Sequence, residues 1–283
     1  VGTVLPILSG IRTFYYPSPL HYRIIPELCY DSNATIIFGT DTFMYGYARA
    51  GHPYDFFNMR IVLAGAEKIR PQNRMLWVEK FGVRLLSGYG TTEASPVISL
   101  DTPMYNRVGT VGRAVPGLEC RLETVAGVRE GGRLFIRGAN VMLGYYLPEN
   151  PGVLVEPPDG WYDTGDIVSI DEDGFITVIG RAKRFAKIGG EMVSLTAVED
   201  CLEKLWPDTK QGVVISEHNT KGEQLVLITE RKNPKVQDVG TFFRANGISE
   251  LWIPKQIISL SQVPLLGSGK FDYIEAKKLV NGS

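Results

Sequence analysis

The chain has 283 residues, with 30 Lys and Arg against 31 Asp and Glu for a net charge of −1. That length can bury a sizeable core in one large or two ordinary domains, and the balanced charge leaves no electrostatic footprint for nucleic acid or an anionic membrane. The three Cys and three His are scattered, without zinc-ligand spacing or a disulfide framework, which fits a reducing cytoplasmic setting.

Taken in chain order, the opening "VGTVLPILSG" is apolar but has no basic flank, so it does not read as a signal peptide. It is strand-like and begins at Val, which leads us to expect a piece of a longer protein. "RTFYYP" (12–17) reads as a strand, "PLHYRIIPELCYD" (19–31) as a helix and "ATIIFGT" (34–40) as a strand. A helix around "TFMYGYARA", a strand "MRIVLAG", a helix "PQNRMLWVEKF" and a strand "VRLLSGYG" follow, to residue 90. Repeated βα units imply a partial, largely parallel, helix-covered sheet, whose ligands gather at the loops beyond the strand carboxyl ends. No apolar run approaches the ~18 residues of a membrane span.

From about residue 108 to 180 the pattern turns to short strands and Gly turns: "LECRLETV", "GRLFIRG" and a hairpin "DIVSIDEDGFITVIG". A basic stretch, "RAKRFAK", comes next. "TAVEDCLEKL" then reads as a helix with a capping box at Thr196 and Glu199 and an apolar stripe at Val198, Leu202 and Leu205. Strands "QGVVIS" and "EQLVLIT", a helix "VQDVGTFFRANG" and a further strand complete a small α+β unit. The fold class expected is therefore α/β and α+β, with a β-rich subdomain closing residues 1–180 and a small mobile C-terminal domain over 181–283.

Three stretches could carry chemistry. "GYGTTEASP" (88–96) follows a strand and offers an aromatic for a base, hydroxyls for phosphate and a carboxylate for magnesium; the bland alternative is a loop with a helix N-cap and Glu93 in the first turn. "WYDTGD" places Asp166 beyond a Gly turn, either for ribose hydroxyls or as an Asx-turn before the next strand. "GRAKRFAKIGGEMVS" (180–194) is a solvated basic face, a nucleic-acid patch or a hinge, and the near-zero net charge argues against nucleic acid. "VPLLGSGKFDY" (263–273) looks like a phosphate-binding loop, but Pro264 stands where the first Gly belongs and Phe271 where Ser or Thr should hold magnesium. What remains is a Gly-Ser-Gly hinge presenting Lys270.

Together "AGAEKI", "GYGTTE", "GRLFIRGANVMLGYY", "WYDTGD", "GRAKRFAKIGG" and "PLLGSGK" resemble, in order and over essentially the whole chain, the adenylate-forming superfamily of acyl-CoA synthetases, peptide-synthetase adenylation domains and luciferase. Within it, "YPSPLHYRIIPEL" and "GRAKRFAKIGGEMVSL" are most similar to the synthetase region of bacterial bifunctional 2-acylglycerophosphoethanolamine acyltransferase/acyl-[acyl-carrier-protein] synthetases. The resemblance implies ATP and Mg2+ as cofactors, a fatty acid as substrate and the thiol of holo-acyl carrier protein as acceptor, with lysophospholipid a partner of the parent protein. Acyl- or aryl-CoA ligase is the alternative, and a non-catalytic nucleotide- or acyl-binding module the alternative of another class. By motif, Gly65, Ala66 and Glu67 edge the adenine, and Tyr89, Gly90 and Thr91 line the nucleotide. Thr92 contacts the α-phosphate, Glu93 holds magnesium, and Asp166 with Arg181 binds the ribose. Lys183 is the hinge, Gly189 and Gly190 border the pantetheine tunnel, and Lys270 bridges carboxylate and α-phosphate. The chain departs from the family in reading Ala-Glu rather than Ala-Pro at 66–67, and the family's loop for the β- and γ-phosphates is expected to precede residue 1, so that the piece alone binds nucleotide weakly. His21 is expected to be structural rather than tunnel-lining. A place on the cytoplasmic face of the inner membrane would depend on other parts of the parent.

Overall fold

The computed structural model describes residues 2–128, 130–207, 209–218, 222–266 and 271–282. Two compact units divide the chain. The first comprises Val1–Arg121, Phe135–Thr164 and Ser169–Val178; the second comprises Leu122–Leu134, Gly165–Val168 and Ile179–Ser283.

In the first unit helix α1 (Val4–Leu8) and helix α2 (Ile24–Asp31) precede strand β1 (Ile36–Gly39), helix α3 (Asp41–Ala50), strand β2 (Ile61–Ala64), helix α4 (Pro71–Phe81) and strand β3 (Leu85–Gly90). Strands β1, β2 and β3 are parallel neighbours, in the register Ile36↔Ile61 and Val62↔Leu85. Strands β4 (Val97–Leu100) and β5 (Arg113–Ala114) extend the sheet antiparallel, so it is parallel only in part. The core beneath it joins Met44, Tyr47 and Ala48 of α3 to Phe56, Trp77 and Leu85. Trp77 is wholly buried and its indole N–H donates to the Met44 carbonyl at 3.1 Å, which removes the polar cost of burying the ring. Helix α4 starts with Pro71 at a first-turn position and stops at Gly82, whose φ of +68° ends the helix in the left-handed region.

Next in sequence come strands β6 (Glu119–Glu123), β7 (Gly132–Arg137), β8 (Tyr145–Tyr146), β9 (Leu154–Val155), β10 (Tyr162–Ile170) and β11 (Ile176–Arg181). They form a four-stranded sheet of order β11-β10-β7-β6 and a β8-β9 pair. The second unit continues with a hairpin of β12 (Phe185–Ile188) and β13 (Glu191–Ser194), then helix α5 (Leu195–Leu205), strands β14 (Gln211–His218) and β15 (Gly222–Thr229), helix α6 (Val236–Ala245), strand β16 (Gln256–Ser259) and helix α7 (Tyr273–Asn281). Strand alternation explains its layers. Val213, Leu225 and Leu227 face the cluster built on α5 and α6, while Val214, Val226 and Ile228 face the opposite way, onto Val263 and Ala276 of α7.

The fold is thus the mixed α/β and α+β arrangement implied by the sequence, with three local differences. Residues 4–8 form helix α1, not a strand; periodicity alone does not separate the two for so short an apolar run. Residues 12–17 form no strand, because a strand needs a ladder partner and the sheet ends at β1; Arg12 and Tyr15 instead reach the carbonyls of Ser32 (2.8 Å) and Gly2 (3.2 Å). The α5 cap is Ser194, whose Oγ accepts from the Ala197 N–H at 3.3 Å, in place of Thr196. Among the described residues no helix is long and apolar enough to cross a membrane.

Candidate nucleotide site

Because β1, β2 and β3 run parallel side by side, their carboxyl ends bring three loops to one edge of the first unit's sheet: Gly39–Thr42, Gly65–Glu67 and Gly88–Glu93. The Gly65 N–H donates to the Gly39 carbonyl at 3.0 Å, and a Cβ at Gly65 would lie 3.0 Å from the Gly88 oxygen, which favours glycine there. Ala66 takes a left-handed φ of +62°, and Glu67 turns back to accept two hydrogen bonds from Thr42. Tyr89 pairs with Ser99 across to β4, and the register slips between Tyr89 and Gly90. At Gly90 a Cβ would fall 1.8 Å from the Pro96 oxygen, so only glycine fits this bulge.

The "GYGTTE" turn has the N-cap position and the first-turn Glu93 of the bland alternative, but without a side-chain cap bond. Thr91 occupies the cap position of a short 3-10 turn (Thr92–Ala94) but makes no side-chain cap bond; its hydroxyl goes to Glu93 Oε2 instead. Glu93 Oε1 accepts from the Tyr145 hydroxyl at 2.5 Å, and the Glu93 carbonyl accepts from the Met142 N–H at 2.7 Å. Asn140 donates to the carbonyls of Ala94 (3.0 Å) and Val97 (2.9 Å), clamping the same turn. The Thr91 hydroxyl, then that of Tyr145, holds the Glu93 carboxyl below the usual carboxylate range, and Tyr145 in turn is raised because it donates to Glu93. Thr92 stands exposed beside it. An ionised carboxylate at a strand end fits Mg2+, which typically takes one or two carboxylates plus substrate phosphate oxygens. Among the described residues no cluster of three or more His, Cys, Asp or Glu could hold a metal without such help.

Strand β3 is anchored from below. Arg74 donates to the Leu85 carbonyl at 2.7 Å and to Ser87 Oγ, and Asp101 accepts from the Ser87 N–H at 3.0 Å. Burial lowers the Arg74 pKa and raises that of Asp101.

In the second unit Asp166 is 4% exposed and pairs with Arg181 Nε at 2.9 Å. It sits inside β10, not in an Asx-turn, immediately after Gly165 at φ +70°. Lys183 is exposed in a short 3-10 turn, and Gly189 and Gly190, both at positive φ, make the turn of the β12-β13 hairpin. Lys270, with Gly267 and Gly269, lies outside the described residues. His21 bonds Tyr16 through Nδ1 at 2.7 Å. The structure therefore gathers Gly65, Ala66, Glu67, Tyr89, Gly90, Thr91, Thr92 and Glu93 at one sheet edge of the first unit, and Asp166, Arg181, Lys183, Gly189 and Gly190 belong to the second. Sequence reasoning missed Tyr145, Asn140 and Thr42. Tyr145 and Asn140 lie within a recognised motif, but no local signal ties a residue 52 positions away to Glu93.

Residues 1–146 match the family described as AMP-binding enzyme. A medium-chain fatty-acid–CoA ligase of Escherichia coli (strain K12) is 28% identical over 295 residues, covering 98% of this chain and 51% of that protein. A long-chain-fatty-acid–CoA ligase of Salmonella typhimurium is 29% identical over 224 residues, covering 76% of this chain and 39% of that protein. The chain spans about half the length of the curated relatives it matches, or less. In fold it resembles o-succinylbenzoate CoA synthetase from Bacillus subtilis in complex with its acyl-adenylate intermediate, with a TM-score of 0.81 at 21% identity over 96% of this chain and 56% of that one. These relatives are CoA ligases, so they support the superfamily and not the narrower likeness to acyl-carrier-protein synthetases. With the family match covering more than half of its residues, the chain belongs to the AMP-binding enzyme family.

Proposed function

We propose that the protein activates a fatty acid with ATP as an acyl-adenylate, releasing pyrophosphate, and passes the acyl group to the thiol of coenzyme A. One observation carries the reading: Glu93, held ionised by Thr91 and Tyr145, stands at the carboxyl edge of adjacent parallel strands beside the Gly65–Glu67 loop. The names of the related CoA ligases favour coenzyme A as acceptor over acyl carrier protein.

In this reading the loop Gly65–Glu67 borders the adenine and Tyr89 packs on the base. Thr92 donates to the α-phosphate, and Asp166, paired with Arg181, accepts from the ribose hydroxyls. Magnesium bound at Glu93 would neutralise charge on the phosphate oxygens. Lys270 supplies a cation where negative charge builds during attack of the carboxylate on the α-phosphate. Lys183 then acts as the hinge between the two half-reactions, and the small residues Gly189 and Gly190 let pantetheine approach the backbone.

Motif likeness around residues 180–194 favours a second acceptor, holo-acyl carrier protein, with lysophospholipid as the later destination of the acyl group. The test is pyrophosphate release by the full-length protein with ATP and a fatty acid, followed by thiol capture with coenzyme A or holo-carrier protein. Acyl-CoA as the product is the expected result. Acyl-carrier protein alone would replace the acceptor, and nucleotide binding without any pyrophosphate release would leave a non-catalytic module.

A further inference from the structure

The loop that leaves β2 is held in an unfavourable conformation, and a specific clasp holds it. Ala66 has φ +62°, a left-handed conformation that costs a non-glycine residue roughly 1–2 kcal/mol. Directly after it, Glu67 Oε2 accepts from both the Thr42 N–H (3.1 Å) and the Thr42 hydroxyl (2.9 Å). That N–H belongs to the first turn of α3 and has no acceptor within the helix; Thr40 Oγ1 already serves the Phe43 N–H. The carboxylate also meets the positive end of the helix dipole. Three residues on, the chain is tied to the same turn again. Buried Asp41 accepts from Arg70 Nε at 2.5 Å and from the Arg70 N–H at 3.1 Å, and Asn73 donates to the Asp41 carbonyl at 2.9 Å.

We infer that Glu67 is a positioning residue: by clasping Thr42 it fixes the Gly65–Ala66 backbone as a rigid edge that selects the nucleobase, so that its own carboxylate need not touch the nucleotide. This rests on the nucleotide reading proposed above. A backbone edge discriminates adenine from guanine only if its N–H and C=O groups stay in place, because a loop free to shift can re-pair with either base. The stiffness comes from two hydrogen bonds to a helix end 25 residues away. Both bonds fall on one oxygen, so a neutral amide oxygen can accept them as well.

The test compares Glu67→Ala with Glu67→Gln in the full-length protein, reading ATP and GTP affinity by titration calorimetry and amide exchange of residues 65–69 by mass spectrometry. Glu67→Ala is expected to weaken ATP binding about five- to tenfold, the scale of losing one or two modest hydrogen bonds, to narrow the ATP-over-GTP preference and to speed exchange in the loop. Glu67→Gln, which keeps an oxygen to accept both Thr42 bonds, is expected to lose clearly less than Glu67→Ala in all three. Unchanged affinity and unchanged exchange in Glu67→Ala would overturn the clasp, and equal losses in the two variants would show the negative charge acting on the nucleotide directly. A wild-type protein that binds no ATP would overturn the nucleotide reading and this inference with it, an outcome distinct from the other two.

Discussion

Glu93 illustrates what a single side chain gains from its neighbours. Hydroxyl donors from Thr91 and Tyr145 stabilise its charged form, and their effect exceeds the opposing cost of burial, so its pKa falls. Since the folded value is depressed, the associated stability is present above the ordinary carboxylate pKa and is lost as pH falls through the folded one. Removing a donor should undo this in order of strength. Thr91→Val should raise the Glu93 pKa more than Tyr145→Phe does, and both should move it toward the ordinary range, as read by carbon-detected NMR titration of the side-chain carboxyl. An unchanged titration in both variants would contradict the hydrogen-bond account. Glu93 itself was legible, because a carboxylate after "GYGTT" at a strand end has a chemical rationale. Tyr145 was not, since it comes from β8, whose approach to the turn depends on the fold.

At the scale of elements, α5 shows why a local signature can mislead. Thr196 and Glu199 have capping-box spacing, yet Glu199 is spent elsewhere. It accepts from Arg184 at 2.8 Å, from the Val213 N–H at 2.7 Å and from the Tyr273 hydroxyl at 3.2 Å, while Arg184 lies 3.6 Å over the Tyr273 ring. With that carboxylate tied to β14 and α7, the helix begins two residues earlier, on Ser194. Ser194→Ala should therefore cost about 1 kcal/mol in urea unfolding, and Thr196→Ala no more than about 0.5 kcal/mol. The reverse order would restore Thr196 as the cap. Where a pattern does not compete with tertiary partners it reads true: α4 matches the span 71–81 taken from Pro71 and Phe81, and β14 and β15 follow the alternation of their apolar residues. Residues 12–17 have strand composition but no strand to pair with, which composition cannot reveal.

At the scale of the whole molecule, the proposed chemistry divides into two half-reactions, and we propose that Lys270 serves only one of them. Lys270→Ala in the full-length protein should lower adenylate formation by about 10²–10³, the scale of removing one preorganised donor to developing charge, while thioester formation from preformed acyl-adenylate stays near the wild-type rate. Equal loss in both steps would refute that division. The sequence alone determined the βα order from β1 to β3, the family and the residue types at the strand ends, because periodicity and motif chemistry are local and survive in one dimension. Only the tertiary structure decided which partner each carboxylate found: Glu67 with Thr42, Glu93 with Tyr145, Asp166 with Arg181 and Glu199 with Arg184. The reason is geometric, since these bonds span 15 to 52 positions and form only once sheet order and helix packing have brought distant stretches of chain within about 3 Å.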